Sequence, residues 1–191
     1  MKYGFLSDVH GDLDALERAL DCLREADRLV FLGDVLGGRH DRECLARLRA
    51  IPDLISVPGN HDLWDCELTG LPSDSQDYLR GLTVEQAVED WLAVHSDYER
   101  GPGGEVRFPY IHSEVDARRA FDHFPQRLIF FGHTHLSQVH RLDPDGRIEF
   151  KRAPGFELAP SSRYLINVGM AAQAVVTFDS AAQRIDYHTF P

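Results

Sequence analysis

With 191 residues, 43% hydrophobic and 27% charged, the chain is long enough to bury one core and shelter a dry cavity, so a single domain is expected over residues 1–191. A net charge of -11 opposes non-specific coating of nucleic acid, and no apolar run approaches the length that spans a bilayer. Cys22, Cys44 and Cys66 are odd in number and form no CxxC pair, which argues against a disulfide framework and against a cysteine-zinc site.

Met1 leads within two residues into strand-like YGFL, with no basic start and apolar stretch of the signal type, so a soluble cytoplasmic protein is expected. A strand is predicted at 2–7. Leu13, Leu16, Leu20 and Leu23 then recur at helical spacing behind a candidate N-cap, Asp12. A strand at 28–32, a helix over 41–50 with Leu45 and Leu48 on one face, and a short strand from Leu54 to Val57 follow, stopped by Pro58-Gly59. Alternating strand and helix of this kind build a parallel sheet.

The segment 63–91 mixes turn residues with a helical candidate around Val84 to Trp91. LAVH then reads as a strand tip and 96–109, with GPGG inside, as loop. Residues 63–112 are a candidate lid region. A helix is predicted at 114–124, with Ala117, Ala120, Phe121 and Phe124 as its apolar residues, leading into the strand RLIFF. Strands near 137–142 and 147–151 flank the turn DPDG as a hairpin, and RYLIN, AVVTF and RIDYHTF complete a mostly antiparallel second half.

Five strand-like segments end in Asp, His or Asn: Asp8 and His10; Asp34; Asn60, His61 and Asp62; His95; and His133 with His135. Singly, each has a structural explanation as a turn residue, a cap or a core histidine. In an α/β sheet, however, the carboxyl ends of strands lie along one edge, where ligands bind. Crowding carboxylates and imidazoles there costs several kcal/mol per uncompensated charge, on the order seen for other buried ions, unless cations join them. Oxygen and imidazole donors without thiolate suit Mn, Fe, Zn, Ni or Co.

DxH at Asp8 to His10, Gly33-Asp34, GNHD at Gly59 to Asp62, His95 and GHTH at Gly132 to His135 stand in the order in which they occur in calcineurin-like metallophosphoesterases, which this sequence resembles. The general look is similar to small bacterial members with phosphodiesterase or diadenosine-tetraphosphatase labels. The resemblance implies an α/β (α+β) fold, a four-layer α/β/β/α sandwich of two packed mixed sheets. It also implies one metal held by Asp8, His10, Asp34 and His135 and a second held by Asp34, Asn60, His95 and His133. Asp34 would bridge two divalent ions, with Mn as the leading candidate. Gly132 would let the chain turn so that His133 serves one ion and His135 the other.

Two such ions roughly 3.5 to 4 Å apart clamp an in-line displacement and lower the pKa of a bound water toward about 7, giving a hydroxide nucleophile. The resemblance makes His61 the proton donor to the leaving alkoxide, with Asp62 orienting its ring. The expected activity is hydrolysis of a phosphate mono- or diester of a small molecule or nucleotide. A protein phosphatase, or a scaffold of this fold that binds partner proteins without chemistry, are the alternatives.

Some positions depart from the pattern. Ser96 follows His95 where glycine is usual, which makes His112 in YIHSE a rival ligand. NVGM, Asn167 to Met170, stands where many relatives carry an Asn-Pro-Gly-Ser type loop. Arg39 and His40 could reach a phosphate oxygen or merely open the next helix. Trp64, Tyr78 and Trp91 are candidates to stack on a nucleobase or to fill a minor core.

Overall fold

Apolar residues in the interior strands alternate between two different partners, and this alternation sets the layering. The structure, a computed structural model, describes residues 1–152 and 154–191. Its first half runs β1 (Lys2–Leu6), α1 (Leu13–Cys22), β2 (Arg28–Phe31), α2 (Asp41–Arg49) and β3 (Ile55–Ser56). Three helices follow, α3 (Asn60–Leu63), α4 (Asp65–Leu68) and α5 (Ser73–Gly81), and then the hairpin β4 (Glu85–Val88) and β5 (Trp91–Val94). A small ribbon, β6 (Glu99–Arg100) with β7 (Val106–Arg107), precedes α6 (Glu114–His123) and β8 (Leu128–Phe131). The chain ends in β9 (Gln138–Leu142), β10 (Ile148–Lys151), β11 (Gly155–Glu157), β12 (Arg163–Asn167), β13 (Ala174–Asp179) and β14 (Arg184–Thr189).

Two six-stranded mixed sheets result, ordered β11-β14-β13-β1-β2-β3 and β10-β9-β12-β8-β5-β4. In the first, β1, β2 and β3 are parallel and the other strands antiparallel. In the second, β5, β8 and β12 are parallel. Tyr3, Phe5, Val30, Trp91 and Phe130 fill the space between the sheets. Leu6 and Phe31 turn the other way, onto α1 and α2, while Ile129 and Phe131 turn onto α6. A strand covered on both faces reads as a continuous apolar run, which is why LIFF shows no polar alternation. The layers are therefore helix, sheet, sheet, helix.

Local signals explain the boundaries. The Asp12 carboxylate accepts the Ala15 N–H at 2.9 Å and caps α1. Ser113 and Asp116 exchange side-chain and backbone hydrogen bonds in a capping box that opens α6. At DPDG, Gly146 takes φ +85° and its N–H reaches the Asp143 carbonyl at 2.9 Å, closing the predicted hairpin.

The helix predicted around Val84 to Trp91 does not form. Those residues are the β4–β5 hairpin, turned at Glu89 with φ +52°, and the helix of this region is the earlier α5. The loop predicted at 96–109 contains the β6–β7 ribbon, and β11 is an edge strand the sequence did not announce. Within the candidate lid region, β5 is an interior strand, and Leu68, Leu71 and Leu79 pack under the first sheet's helices. Cys44 is buried, Cys22 half-buried and Cys66 exposed, and all three are free. Among the described residues, no helix is long and apolar enough to cross a membrane.

Phe130 stacks on Phe5 at 3.9 Å between centroids and meets Trp91 edge-on at 5.7 Å. Phe130→Ala should cost about 3–5 kcal/mol in a denaturant titration, the range for deleting a large buried ring. A loss below about 1 kcal/mol would contradict a tightly packed ring at this position.

Candidate metal centre

Asp8 and His10 follow β1, Asp34 follows β2, Asn60 to Asp62 follow β3, His95 follows β5, and His133 and His135 follow β8. All five are parallel strands, so their carboxyl ends lie together and their side chains meet. The backbone bends unusually to achieve this. Among the described residues, eight non-glycine positions have positive φ, and five of them are Asp8 (55°), His10 (47°), Asp34 (60°), His133 (67°) and His135 (61°). Each costs about 1–2 kcal/mol in a residue bearing a Cβ. The strain is held by hydrogen bonds between loops, such as Asp8 N–H to the Gly33 carbonyl and Val9 N–H to the Asp34 carbonyl, both at 2.9 Å.

The side chains form two groups, joined by a third. Asp8, His10 and His135 make one: His135 Nε2 lies 3.4 Å from Asp8 Oδ1 and 3.1 Å from His10 Nε2. Asp34, His95 and His133 make the other, with His95 Nε2 3.4 Å from Asp34 Oδ2, 3.1 Å from His133 Nδ1 and 3.2 Å from Asn60 Oδ1. Asp34 also makes the third group, with His10 and His61, and so links the other two. Its Oδ1 accepts the His61 N–H at 2.9 Å, which leaves Oδ2 3.8 Å from His10 Nε2 and 3.4 Å from His95 Nε2.

Tautomers are fixed from behind. His95 Nδ1 donates to the Leu32 carbonyl at 2.7 Å and His10 Nδ1 to the Leu36 carbonyl at 3.1 Å, so in each neutral ring the Nε2 lone pair points into the cluster. Neighbouring donors on a cation with bonds of about 2.1 Å sit about 3 to 3.5 Å apart, which matches the spacings above, while His10 Nε2 stands farther from Asp8 Oδ1, at 3.9 Å. The residues present thus fit two divalent ions in donor type, number and spacing.

Burial opposes charge on both Asp34 and His95, yet each holds the other ionised. The Asp34 carboxyl is pulled down to about 2 and the His95 imidazole is pushed up to about 9. Burial, and then the His95 charge, drive His133 down to about 4 and keep it neutral. Asp34 and His95 thus answer each other's charge, and a metal taken up through His95 Nε2 would require that ring to be neutral.

Several residues do something other than the sequence suggested. Asp62 does not orient the His61 ring, because its two oxygens accept the backbone N–H groups of Asp34 (2.7 Å), Val35 (2.9 Å), Leu36 (3.1 Å) and Gly59 (3.0 Å). Burial and the nearby Asp34 push its carboxyl up to about 6, but four donors with no acceptor among them favour the ionised form. Asp62 therefore ties the loop after β2 to the loop after β3. The carboxylate closest to the His61 ring is Glu67, whose Oε1 lies 3.6 Å from Nδ1.

Gly132 is also needed for a different reason. The left-handed residues of that loop are His133 and His135 themselves, whereas a Cβ on Gly132 would lie 2.0 Å from Ser7 Oγ and 2.4 Å from Asp8 Oδ2. Trp91 lies wholly between the sheets, out of reach of any ligand, and Tyr78 packs half-buried against the first sheet's helices. Trp64 is exposed and tilts over His61 at 4.4 Å. His95 is fully buried in the cluster, while His112 is exposed on its rim. Ser96 fits where glycine was expected, since its hydroxyl donates to the Pro109 carbonyl at 2.7 Å. Arg39 and His40 line a separate cleft beside His10.

Sequence reasoning missed the part played by Asn167, which it noted only as a departure from a loop pattern. Its fully buried amide donates to the Gly132 carbonyl (2.9 Å) and Thr134 Oγ1 (2.7 Å) and accepts from Gly169 N–H (2.9 Å). A hydrogen-bonding demand of this kind leaves no periodic trace in a single sequence.

Asn167→Ala should weaken Mn binding about 10- to 100-fold by releasing the loop that carries His133 and His135, as measured by calorimetric titration. Unchanged affinity would show that the loop holds its shape without this bracket. In the same assay His95→Ala should lose one of two ions and His112→Ala neither.

The family model for the calcineurin-like phosphoesterase superfamily domain matches residues 1–181. A metallophosphoesterase from Sphaerobacter thermophilus is similar in structure with a TM-score of 0.85 and 30% identity, over 100% of this chain and 89% of that one. A novel archaeal phosphodiesterase (TM-score 0.60, 15% identity, 100% of both chains) and a cold-active protein-tyrosine phosphatase of a psychrophilic Shewanella species (TM-score 0.63, 14% identity, 100% of this chain and 80% of that one) share the fold. No curated protein sequence matches the chain. On the strength of the family model and the order of its polar strand ends, the chain belongs to the calcineurin-like phosphoesterase superfamily.

Proposed function

We propose that the protein is a dinuclear, metal-dependent phosphoesterase that hydrolyses a phosphate mono- or diester of a small molecule or nucleotide. The observation that carries this reading is the pair of donor groups joined at Asp34 Oδ2, with spacings of 3.1–3.9 Å and no lysine or arginine lining the cavity above them. Asp8, His10, Asp34 and His135 would hold one ion and Asp34, Asn60, His95 and His133 the other. Bound there, two divalent cations, Mn foremost, would supply the local positive charge that receives a phosphate in an acidic protein, and the Lewis acidity that activates water near neutral pH.

The remaining work falls to the chain. Asp34 keeps Oδ1 on the His61 backbone and presents Oδ2 to both halves. The Leu32 and Leu36 carbonyls hold His95 and His10 as neutral Nε2 donors once the His95 proton has left. His61 stands beside His10, with ring centroids 4.9 Å apart, and its Nδ1 is buried on the Glu67 side. Its Nε2 is then the nitrogen that gives a proton to the leaving oxygen. Glu67, rather than Asp62, is the carboxylate nearest that ring, 3.6 Å from Nδ1 and not hydrogen-bonded to it.

His61→Ala should retain both ions and lose turnover by about 10²- to 10⁴-fold, the usual worth of general acid catalysis. Intact turnover in the metal-loaded variant would remove His61 from the mechanism. Hydrolysis of p-nitrophenyl phosphate against its bis ester, with Mn added, tests the function itself. Activity on either supports it, and their ratio separates monoesterase from diesterase. Bound metal with neither ester cleaved would point instead to a non-catalytic scaffold.

A further inference from the structure

The cavity above the donor groups, of about 310 Å³, is lined by four of the candidate ligands, Asp34, Asn60, His133 and His135, together with His61, Thr134, Tyr110 and His112. Tyr110 and His112 are unlike the rest. Neither has a partner in the cluster chemistry, and both are exposed, Tyr110 by 53%. Their rings are nonetheless ordered with respect to the centre. Tyr110 stacks on His133 at 4.2 Å with planes 14° apart, and on His112 at 5.0 Å with planes 15° apart. Three flat rings thus run from a candidate metal ligand out to the rim.

The segment that presents them is firmly anchored. Ser96 Oγ holds the Pro109 carbonyl at 2.7 Å, Gln138 Nε2 holds the Ile111 carbonyl at 3.1 Å, and Arg119 holds the Tyr110 carbonyl at 3.3 Å. Phe108 and Ile111 on either side are buried. Among the described residues, Tyr110 is the one aromatic ring packed on His112. A rigid, exposed π-surface at the mouth of a reactive site offers stacking to a planar group at little cost in ordering. No lysine or arginine lines the cavity, so apart from the ions it would hold, flatness rather than charge is what it can read.

We infer that Tyr110 and His112 form a stacking platform that selects phosphoesters whose alcohol part is planar and aromatic, a nucleoside in particular. This rests on the phosphoesterase reading above and deepens it by naming a substrate class. Trp64, the other exposed aromatic near the site, tilts over His61 and does not line this cavity.

The test is calorimetric binding of adenosine 5′-monophosphate, phenyl phosphate and glycerol 2-phosphate to the Mn-loaded protein, in parallel with KM for each ester that is cleaved. The wild type should bind the two aromatic esters more tightly than glycerol 2-phosphate. His112→Ala and Tyr110→Ala should each weaken the aromatic ligands by about tenfold or more, the usual effect of deleting a stacking partner. Glycerol 2-phosphate binding and Mn content should not change, and Tyr110→Phe should behave as wild type. A nucleotide that binds better than phenyl phosphate, with that margin lost in the variants, identifies the base as the recognised group; equal binding identifies any aryl group. Equal losses for all three ligands, no loss for any, or a fall in Mn content in His112→Ala would overturn the inference. Stacking-dependent binding without hydrolysis of any ester would leave the platform standing and remove the catalytic reading.

Discussion

Lone pairs aimed at one another are the constraint on which the rest of the site depends. His95 Nε2 faces Asp34 Oδ2, Asn60 Oδ1 and His133 Nδ1 within 3.4 Å, and the Leu32 carbonyl commits the ring's other nitrogen to donation. A proton on His95 eases this in one group, and an Nε2–H on His135 eases it against Asp8 and His10 in the other. Two cations would meet the acceptors of both groups at once. A protein with 31 acidic residues and 20 lysines and arginines places none of the latter along the cavity. The packing nearby follows from this demand: left-handed histidines and aspartates, Gly59 and Gly132 packed so closely on Asp34 and Asp8 that a Cβ would not fit, and buried Asp62 and Asn167 used wholly as brackets between loops.

Two sheets are what makes such a cluster affordable. The strands β1 and β2 in one sheet and β5 and β8 in the other deliver their ends to the same edge, and the aromatic layer of Phe5, Trp91 and Phe130 fixes the distance between them. Strain of about 1–2 kcal/mol at each left-handed residue is small against the burial of that layer. Cross-sheet hydrogen bonds, such as His133 N–H to the Asp8 carboxylate at 3.0 Å, carry the register of one sheet directly into the other. The layered core and the site are one piece of engineering: shifting either sheet separates the two donor groups.

Much of this was legible because the chemistry is written in residue types at strand ends. An Asp, His or Asn after an apolar run is visible without any knowledge of packing, and all seven candidate ligands converge as the order of the motifs implied. Elements held by local signals were legible too, among them the Asp12 cap and the DPDG hairpin. Where the sequence misled, a remote partner decided. Val84, Val88 and Trp91 recur at helical spacing, but pairing with β8 draws Trp91–Val94 into the sheet and folds the run into a hairpin. Edge strand β11 exists only because β14 is there to receive it. The Asp62 and Gly132 assignments failed similarly, since three of a carboxylate's four backbone donors and a glycine's two crowding neighbours come from a loop distant in sequence. The same holds for the ring stack of His133, Tyr110 and His112.

The central claim is that this arrangement of acceptors exists to hold two cations joined through Asp34. Crystals of Mn-loaded protein, examined by anomalous scattering, test it most directly. The account predicts two peaks, one among Asp8, His10 and His135 and one among Asn60, His95 and His133, each within bonding distance of Asp34. A fully loaded crystal with no peak in the cluster, or with a single ion that Asp34 does not touch, would contradict it.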